Sequence, residues 1–390
     1  MAYMQGRYDF LDQDSVVFGI PVAQAIADVV ASQNAQRVFL IASKTLSRQT
    51  GVVDQIQAAL KSRYAGRFDE CVAHVPIDSV LKAAAAVRQA QPDLLVTVGG
   101  GTPIDTAKIL QICLAENITT AKALLDFRIR VNEDGARVVP RVAPSPVRQI
   151  AAPTTLSGAE FSHLGGCSDP DRAVKDLYSS PDIGARVVIL DPAITVHTPD
   201  WLWFSTGIRA VDHAVETVCS RHPQPFTDAT CLHGLAMLAT SLRASRADAA
   251  DQGSRLDSQL GVWLASTGLG RIDWGASHGI GHQLGAVAGV PHGYTSCVML
   301  HNVLRFNHGV NADRQQLIST ALGDAGRDAA DLIEALVRDL GLPTRLKDVG
   351  VGREHFEAIA NGAMQNMMVR SNPRPIDRPG DVIQILEQSL

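Results

Sequence analysis

A chain of 390 residues is too long for one ordinary hydrophobic core and predicts two domains of comparable size. Hydrophobic residues make up 46% of it, charged residues 19%, and the formal net charge is -5, so the composition shows no basic footprint and makes nucleic acid a poor candidate partner. Six scattered cysteines, no export signal and no long apolar run predict a cytoplasmic protein with reduced thiols and no membrane partner.

The first half alternates short apolar runs with helical patterns. Strands are predicted at 15–19, 37–42, 70–75, 93–98, 149–152 and 187–190. Helices are predicted at 21–33, 52–61, 79–89 and up to about residue 116, with a polar turn at 43–45 and an irregular excursion or hairpin at 126–147. Such alternation is typical of an α/β domain whose parallel sheet is covered by helices on both faces.

Three glycines follow the strand at 93–98 directly: Gly99, Gly100 and Gly101. A strand, a glycine turn and a helix start present bare backbone N–H groups and the positive end of a helix to a phosphate, so this stretch indicates a pyrophosphate cradle. It is not a GxGxxG motif, and a tight turn without a ligand is the alternative. Asp105 and Lys108 on the following helix could be a solvated pair.

A second polar stretch, PTTLSGAE, begins at Pro153 and contains Thr154, Thr155 and Ser157. Hydroxyl groups beside a glycine suit contacts to phosphate, ribose or a nicotinamide amide. An N-capped turn is the alternative for this stretch.

From Pro199 onward the strand pattern largely disappears. Helices are predicted at 205–220, 228–243, 254–267, 277–287, 295–306, 314–322, 328–340 and 353–367. The chain therefore divides into an α/β domain at 1–198 and an all-α domain at 199–390. A cleft between the two would place the glycine-rich turns opposite the histidines of the second half.

Three of those histidines lie in the stretch SHGIGHQLGAVAGVPHG, from residue 277 to 293. His278 and His282 are four residues apart, which places both rings on one face of a helix. His292 stands between a proline and a glycine, so we expect it on a turn beyond that helix. Any one of them could be a packing histidine, but the density of glycine allows close approach and favours a site.

The order of five motifs resembles the iron-containing, or group III, alcohol dehydrogenase family, which includes the maleylacetate reductases. The motifs are GGGTPIDTAK, PTTLSGAE, GIRAVDHAVE, SHGIGHQLG and PHG. The resemblance extends from about Val16 to Leu390. It implies an N-terminal Rossmann-like domain, a C-terminal helical domain, hydride transfer between NAD(P) and an alcohol or carbonyl, and a possible homodimer.

The resemblance also implies roles for individual residues. The positions that match the pyrophosphate loop and the cofactor surroundings are Gly99, Gly100, Gly101, Thr102, Asp105, Thr154, Thr155, Ser157 and Lys175. His213, His278 and His292 match the three histidine ligands of the members that hold a divalent metal such as iron or zinc. His282 matches a histidine near the nicotinamide, a candidate for a proton relay.

Arg209 stands where the family's fourth metal ligand, an Asp, is expected. Arginine has no lone pair to offer and would repel a metal ion. Asp212 is three residues away and is better placed to pair with Arg209 than to replace the ligand. We hypothesise that Arg209 takes over from the metal by polarising a carbonyl, stabilising an alkoxide or clamping a carboxylate. The alternative keeps a metal on the three histidines with Arg209 turned away.

Ser43, Lys44 and Thr45 bear on the choice of cofactor. Relatives that prefer NAD tend to carry an Asp at the position of Ser43, because a carboxylate accepts from the ribose 2'-OH and repels a 2'-phosphate. Its loss, with Lys44 next to it, predicts that NADP(H) is accepted and preferred. The alternative is that Lys44 faces solvent and both cofactors are used.

The favoured function is that of an NAD(P)-dependent alcohol dehydrogenase or carbonyl reductase. A second possibility within the fold is a maleylacetate-reductase-like enzyme for a carboxylated substrate, anchored by Arg209. From other classes, a dehydroquinate-synthase-like lyase and a binding protein without catalysis stay open.

Overall fold

The computed structural model of the chain describes residues 6–132, 137–169, 172 and 174–390. It contains two compact units, one of residues 10–197 and one of residues 198–390 together with 6–9. Residues 1–5, which the N-terminal prediction covers, and residues 133–136 of the predicted excursion lie outside the described residues.

The α/β unit is built on a six-stranded sheet, whose strands are β1 (Ser15–Phe18), β2 (Val38–Ala42), β3 (Tyr64–Phe68), β4 (Leu94–Gly99), β7 (Arg148–Pro153) and β10 (Ala185–Leu190). Their order in the sheet is β1-β10-β7-β4-β2-β3, and every neighbouring pair is parallel. Two antiparallel pairs join β5 (Arg130–Val131) to β6 (Arg137–Val138) and β8 (Leu164–Asp169) to β9 (Val174–Ser179). The helices are α1 (Val22–Ser32), α2 (Lys44–Gln49), α3 (Val52–Leu60), α4 (Ile77–Ala90), α5 (Gly101–Ala115), α6 (Ala121–Leu125) and α7 (Pro192–Thr195).

Helices cover both faces of this sheet, because alternate residues of a strand point to opposite faces. Leu40 of β2 packs into one core with Ile56 of α3, and its neighbour Ile41 packs into the other with Ile109 of α5. Each such side chain stabilises the unit by roughly 1.5–3 kcal/mol. The predicted parallel α/β domain is confirmed.

The carboxyl ends of three adjacent strands bring the predicted cofactor segments together. Gly99 at the end of β4 pairs in register with Pro153 of β7. The backbone N–H of Thr154 donates to the carbonyl of Gly99 at 3.0 Å, and that of Ser43 donates to the carbonyl of Val98 at 3.0 Å. The loops after β2, β4 and β7 therefore share one edge of the sheet.

Two local predictions in this half are wrong. No strand forms at 70–75, because His74 and Val75 have φ angles of 64° and 55°, which lie in the left-handed region and cannot continue a strand. The strand lies earlier, at β3, where a glycine at 66 interrupts the apolar pattern. Residues 43–45 are not an isolated turn, since Ser43 caps α2 by accepting a hydrogen bond from the N–H of Leu46.

The second unit is helical, and among the described residues 198–390 it contains no strand. Its α-helices are α8 (Asp200–Val218), α9 (Pro225–Ala247), α10 (Gln252–Ala265), α11 (Ala276–Ala288), α12 (His292–Ala321), α13 (Ala329–Asp339), α14 (Phe356–Ala363), α15 (Met367–Arg370) and α16 (Pro379–Gln388). Every residue of α8 from Trp203 to Val218 is buried, so this helix is surrounded by the others. None of the described helices combines the length and apolar character that crossing a bilayer requires.

The predicted all-α architecture is confirmed, but several boundaries differ. The two helices predicted at 295–306 and 314–322 are present as the two arms of α12, which is kinked between them at the non-helical residue Asn311, but the first arm begins earlier, at His292. The helix predicted at 353–367 is broken, because α14 ends at Ala363 and Asn366 caps the separate helix α15. The sequence analysis predicted neither α16 nor the β8–β9 hairpin.

Candidate active site

The glycine turn after β4 has no room for side chains on its own backbone. A Cβ at Gly99, whose φ is 145°, would lie 2.7 Å from Cγ of Pro103, and a Cβ at Gly100 would lie 2.8 Å from Cγ2 of Thr155. Both distances are too short for any side chain. Ser43 borders Gly99 and Ser157 borders Gly101, so three of the predicted segments meet around this turn.

The other predicted cofactor residues occupy several environments. Lys44 and Thr45 are exposed on α2, and Thr102 lies in the first turn of α5. Lys175 lies on β9 with its side chain over Gly166. Asp105 faces the hairpin instead, where its carboxylate accepts from the N–H of Gly166 at 3.3 Å.

Lys108 is fully buried, so it is not part of a solvated pair. Its ammonium donates to Asp105 at 3.2 Å and to the carbonyls of Ala159 and Leu164 at 2.6 Å each, which ties α5 to the segment after β7. Glu160 lies in the same segment and is also buried; burial raises its pKa to about 7. Neither residue was predicted to be part of a buried network.

One face of α8 carries a buried ionic cluster. Arg209 is only 4% exposed, and its Nη1 donates to Oγ of Ser296 at 2.9 Å and lies 3.8 Å from Oδ2 of Asp212. Ser296 in turn donates to Asp212 at 2.6 Å, and Ser277 donates to the same oxygen at 2.8 Å. The predicted pairing of Arg209 with Asp212 is therefore present, and a serine bridges the pair.

Glu216, one turn further along α8, caps the start of α11. Its carboxylate accepts from the backbone N–H groups of Gly275 at 3.0 Å and Ser277 at 2.9 Å. Its Oε2 also lies 2.7 Å from Nδ1 of His278, so the two groups share a hydrogen. Burial, and then the neighbouring carboxylate of Asp212, raise the pKa of Glu216 to about 8.

The five predicted catalytic residues all lie in the helical unit, and ring contacts join the four histidines among them in two pairs. The rings of His213 and His278 stack at 5.2 Å, and each packs against Trp274, at 4.9 and 4.1 Å respectively. The rings of His282 and His292 stack at 5.9 Å. His292 was predicted on a turn, but it is the first residue of α12, because Pro291 caps that helix; the short connection after α11 brings it back beside His282.

Burial keeps the inner imidazoles neutral. It lowers the pKa of both His213 and His278 well below the ordinary value of 6.5, and the positive charge of Arg209 lowers them further. Burial also raises the pKa of Asp212 to about 6, against the pull of Arg209. The cluster therefore combines a guanidinium, a carboxylate and neutral rings in a dry interior.

Four buried polar atoms of this cluster have no hydrogen-bond partner among the described residues. They are Nε of Arg209, Oδ1 of Asp212, Nδ1 of His213 and Nε2 of His278. Native proteins seldom leave such atoms unsatisfied, so a concentration of them indicates a place where a ligand or water binds.

Models of known protein families match most of the residues of both units. Residues 14–192 match the family described as iron-containing alcohol dehydrogenase, and residues 203–390 match the C-terminal part of the Fe-containing alcohol dehydrogenase family. The chain belongs to the iron-containing alcohol dehydrogenase family. It is accordingly an NAD(P)-dependent oxidoreductase of small alcohols or carbonyls, and this assignment favours the dehydrogenase over the lyase alternative.

Individual relatives align along nearly the whole chain. Dehydrogenase FUM7 of Gibberella moniliformis is 32% identical over 406 residues, which covers 95% of each protein. Maleylacetate reductase 1 of Cupriavidus pinatubonensis is 26% identical and covers 93% of this chain and 91% of its own length. The crystal structure of a 1,3-propanediol oxidoreductase superposes with a TM-score of 0.88 at 25% identity, over 99% of this chain and 100% of that one.

The residues that could hold the family's iron differ from the set of three histidines and one Asp that the resemblance implies. In the described part of the chain, one group of His, Cys, Asp and Glu side chains has ligand atoms within 4.8 Å of one another: Asp212, Glu216 and His278. Hydrogen bonds at 2.6 to 3.0 Å already hold its two carboxylates. The set that the resemblance implies, His213, His278 and His292, lacks the carboxylate and has the buried Arg209 guanidinium beside it. These residues fit a divalent ion poorly.

Sequence reasoning missed the partners of the histidines. Glu216 lies three residues after His213 and seven after Arg209, a spacing that places all three on one side of a helix. Carboxylates among the apolar residues of such a helix indicate a buried polar network, because an unpaired buried charge is costly. No comparable signal marked Trp274 or Asn366, whose contacts depend on tertiary packing.

Proposed function

We propose that the chain interconverts an alcohol and a carbonyl by hydride transfer with NADP(H) or NAD(H), without a divalent metal, and that Arg209 supplies the positive charge at the substrate oxygen. The observation that carries this proposal is the burial of Arg209 among neutral imidazoles. Its Nε has no partner in the described part of the chain, so it retains a donor for a substrate oxygen.

The surroundings of Arg209 suit a charge that acts on a transition state. Ser296 and Asp212 hold one edge of the guanidinium, which restricts its movement. A fixed cation in a water-poor site stabilises a developing alkoxide without reorganising during the reaction. The attraction also exceeds that in water, because the surrounding medium screens it less.

The reaction assigns a separate task to each group of residues. The bare backbone of Gly99 to Gly101 would hold the pyrophosphate, and the cofactor would deliver its hydride to the carbonyl carbon. Arg209 would stabilise the oxygen as it gains charge. His282 would provide that oxygen with either a hydrogen bond or a proton.

A maleylacetate-reductase-like reaction on a carboxylated substrate is the second candidate. A maleylacetate reductase is among the relatives. The Arg209 guanidinium could clamp a carboxylate through two parallel hydrogen bonds, a geometry that lysine cannot reproduce. A panel of aldehydes and oxo acids, assayed by the loss of NADPH or NADH absorbance, separates the two candidates.

Metal analysis tests the metal-free proposal. Protein purified without chelator should carry little iron or zinc, and dialysis against EDTA should leave the turnover unchanged. Near-stoichiometric metal whose removal abolishes turnover would end the proposal. A homodimer, which the resemblance implies, stays a prediction that light scattering can check.

Substitution of Arg209 supplies an independent test. Arg209→Met should lower kcat by about 10²–10³-fold, the usual cost of losing one charge-stabilising donor, while Arg209→Lys should lose less if charge alone matters. Dinucleotide affinity, measured by fluorescence titration, should be similar in both variants. Equal kcat in the Met variant and the wild type would contradict the role of Arg209.

A further inference from the structure

His282 has a partner outside the histidine motif. It lies on α11 one turn after His278, and its Nδ1 is 3.2 Å from the amide nitrogen Nδ2 of Asn366. Asn366 caps α15, and its Oδ1 accepts from the backbone N–H of Met368 at 3.0 Å. One side chain therefore bridges a helix start and a candidate catalytic ring.

This bridge decides which atom of the amide faces the ring. Only the oxygen of Asn366 can accept from the N–H of Met368, so the group that faces His282 is the NH2. An amide NH2 donates and does not accept, so Nδ1 of His282 must be the acceptor. A neutral imidazole has one N–H, which must then be on Nε2.

We propose that Asn366 is a positioning residue that holds His282 as a neutral imidazole with its proton on Nε2. The catalytic consequence rests on the function proposed above. His282 then donates a hydrogen bond from Nε2 to the substrate oxygen and keeps its proton, as a neutral electrophile does.

The amide explains why the proton stays. Transfer of the Nε2 proton to an alkoxide would leave an imidazolate, because Asn366 has no acidic hydrogen to pass to Nδ1. Formation of an imidazolium is opposed too, since its Nδ1–H would face the N–H of the amide. In the reduction, the hydride given up by the reduced dinucleotide would form the new C–H bond, the carbonyl electron pair would move to oxygen, and a proton taken up from the solvent as H3O+, which leaves H2O, would complete the O–H bond.

His278 contrasts with this arrangement. Its Nδ1 shares a hydrogen with the carboxylate of Glu216, and that hydrogen can belong to either group. A carboxylate can take up or release a proton, whereas the amide at Asn366 can do neither. Two histidines on one face of α11 are thus held by partners of different chemistry.

Gly279 allows Asn366 to reach the ring. A Cβ at this position would lie 2.5 Å from Cγ2 and 2.9 Å from the backbone nitrogen of Val369, and 3.5 Å from Oδ1 of Asn366. Only a residue without a side chain lets α15 approach α11 so closely. The glycine-rich motif and Asn366 therefore act on the same ring.

Two substitutions of Asn366 distinguish its role as a hydrogen-bond donor to His282 from its role as the cap of α15. Asn366→Asp keeps the shape and an oxygen to cap Met368 but presents an acceptor to His282, so the ring proton should move to Nδ1. Asn366→Ser keeps a hydroxyl that can cap the helix, but it lacks the amide NH2 that donates to His282. Asn361→Asp, at an exposed position of α14, adds the same charge without changing the bridge.

The direct readout is the ring nitrogen NMR spectrum of protein labelled with 15N-histidine, with His282 assigned through His282→Gln. The wild type and the Asn361→Asp variant should show His282 protonated at Nε2, and the Asn366→Asp variant should show it protonated at Nδ1. A wild-type ring protonated at Nδ1, or an Asn366→Asp spectrum identical to that of the wild type, would overturn the assignment.

Kinetics then test the catalytic consequence. We expect Asn366→Asp to lower kcat for carbonyl reduction by about 10²-fold, with a smaller loss in Asn366→Ser and unchanged KM for the dinucleotide. A flipped ring with unchanged kcat would refute the role of His282 as an electrophile. If no carbonyl is reduced by the wild type, the proposed function fails, and the NMR spectra still decide the tautomer.

Discussion

Arg209 alters the charge balance of the α8 face. An Asp at this position would add a third carboxylate beside Asp212 and Glu216 and would need a cation from outside the protein. With arginine present, the ionised Asp212 compensates the guanidinium. The pKa of Glu216, raised to about 8, then keeps this second carboxyl largely protonated at neutral pH. The cluster is close to neutral from its own residues, which is the physical basis for expecting activity without a metal.

Glu160 gives a prediction about pH and stability. Burial raises its pKa from 4.5 to about 7, against the opposing charge of Lys108. Between these values the folded protein keeps a proton that the unfolded chain has lost. The contribution of Glu160 to stability should therefore be largest below about pH 4.5, fall by up to about 1.4 kcal/mol per pH unit between about pH 4.5 and 7, and level off above pH 7.

Glu160→Gln removes this titration and keeps the shape of the side chain. The fall in the urea unfolding midpoint over this pH interval should therefore be smaller in the variant than in the wild type. Glu70→Gln, at an exposed position, is the control and should follow the wild type. The same slope in the Glu160→Gln variant and the wild type would show that Glu160 is ionised in the folded protein.

At the scale of the element, apolar runs predicted the sheet well and irregular strands poorly. The strands β2 and β4 are short, largely apolar segments that are buried on both faces, the pattern expected of central strands in a parallel sheet. The strand β8 has the sequence LGGCSD, and side-chain patterns do not predict it because two of its six residues are glycines. Its position depends on contacts with Asp105 and Lys108, which local sequence does not encode.

The site shows the same division between local and tertiary information. The spacing of His278 and His282 predicted a shared helix face, and both lie on α11. The partner of each ring comes from a distant part of the chain, Glu216 for one and Asn366 for the other. A hydrogen bond across 62 or 84 residues leaves no periodic trace in the sequence, so these partners required the structure.

Gly279 provides a prediction at this scale. Gly279→Ala would place a methyl group against the backbone of Val369, and overpacking of this kind costs about 1–3 kcal/mol. Gly285→Ala on the same helix is the matched control, because its Cβ would meet only the carbonyl of Val290 at 3.6 Å. Alanine favours a helix over glycine, so this control should be neutral or slightly stabilising.

Thermal unfolding of the two alanine variants checks this prediction. The midpoint should fall for Gly279→Ala and hold or rise for Gly285→Ala. Equal midpoints would mean that α15 can move away from α11 at no cost, and the close approach would then lose its importance for positioning Asn366.

At the scale of the whole molecule, the two units carry different parts of the proposed reaction. The predicted nucleotide contacts belong to residues 10–197, whereas Arg209 and the four histidines belong to residues 198–390. Cofactor choice and the charge at the substrate oxygen should accordingly respond to different substitutions. Ser43 offers the sharpest test, because it borders Gly99 and caps α2 with its side chain.

Ser43→Asp should reverse the cofactor preference without disturbing the fold. Aspartate caps helices as well as serine does, so α2 should persist. Its carboxylate would accept from a ribose 2'-OH and repel a 2'-phosphate, so kcat/KM for NADPH should fall at least about tenfold while NADH is used as well or better. Gln49→Glu, on an exposed position of the same helix, adds a charge away from the glycine turn and should leave the ratio unchanged. A wild-type kcat/KM for NADH tenfold above that for NADPH would refute the predicted preference, since the position would then select NAD without a carboxylate.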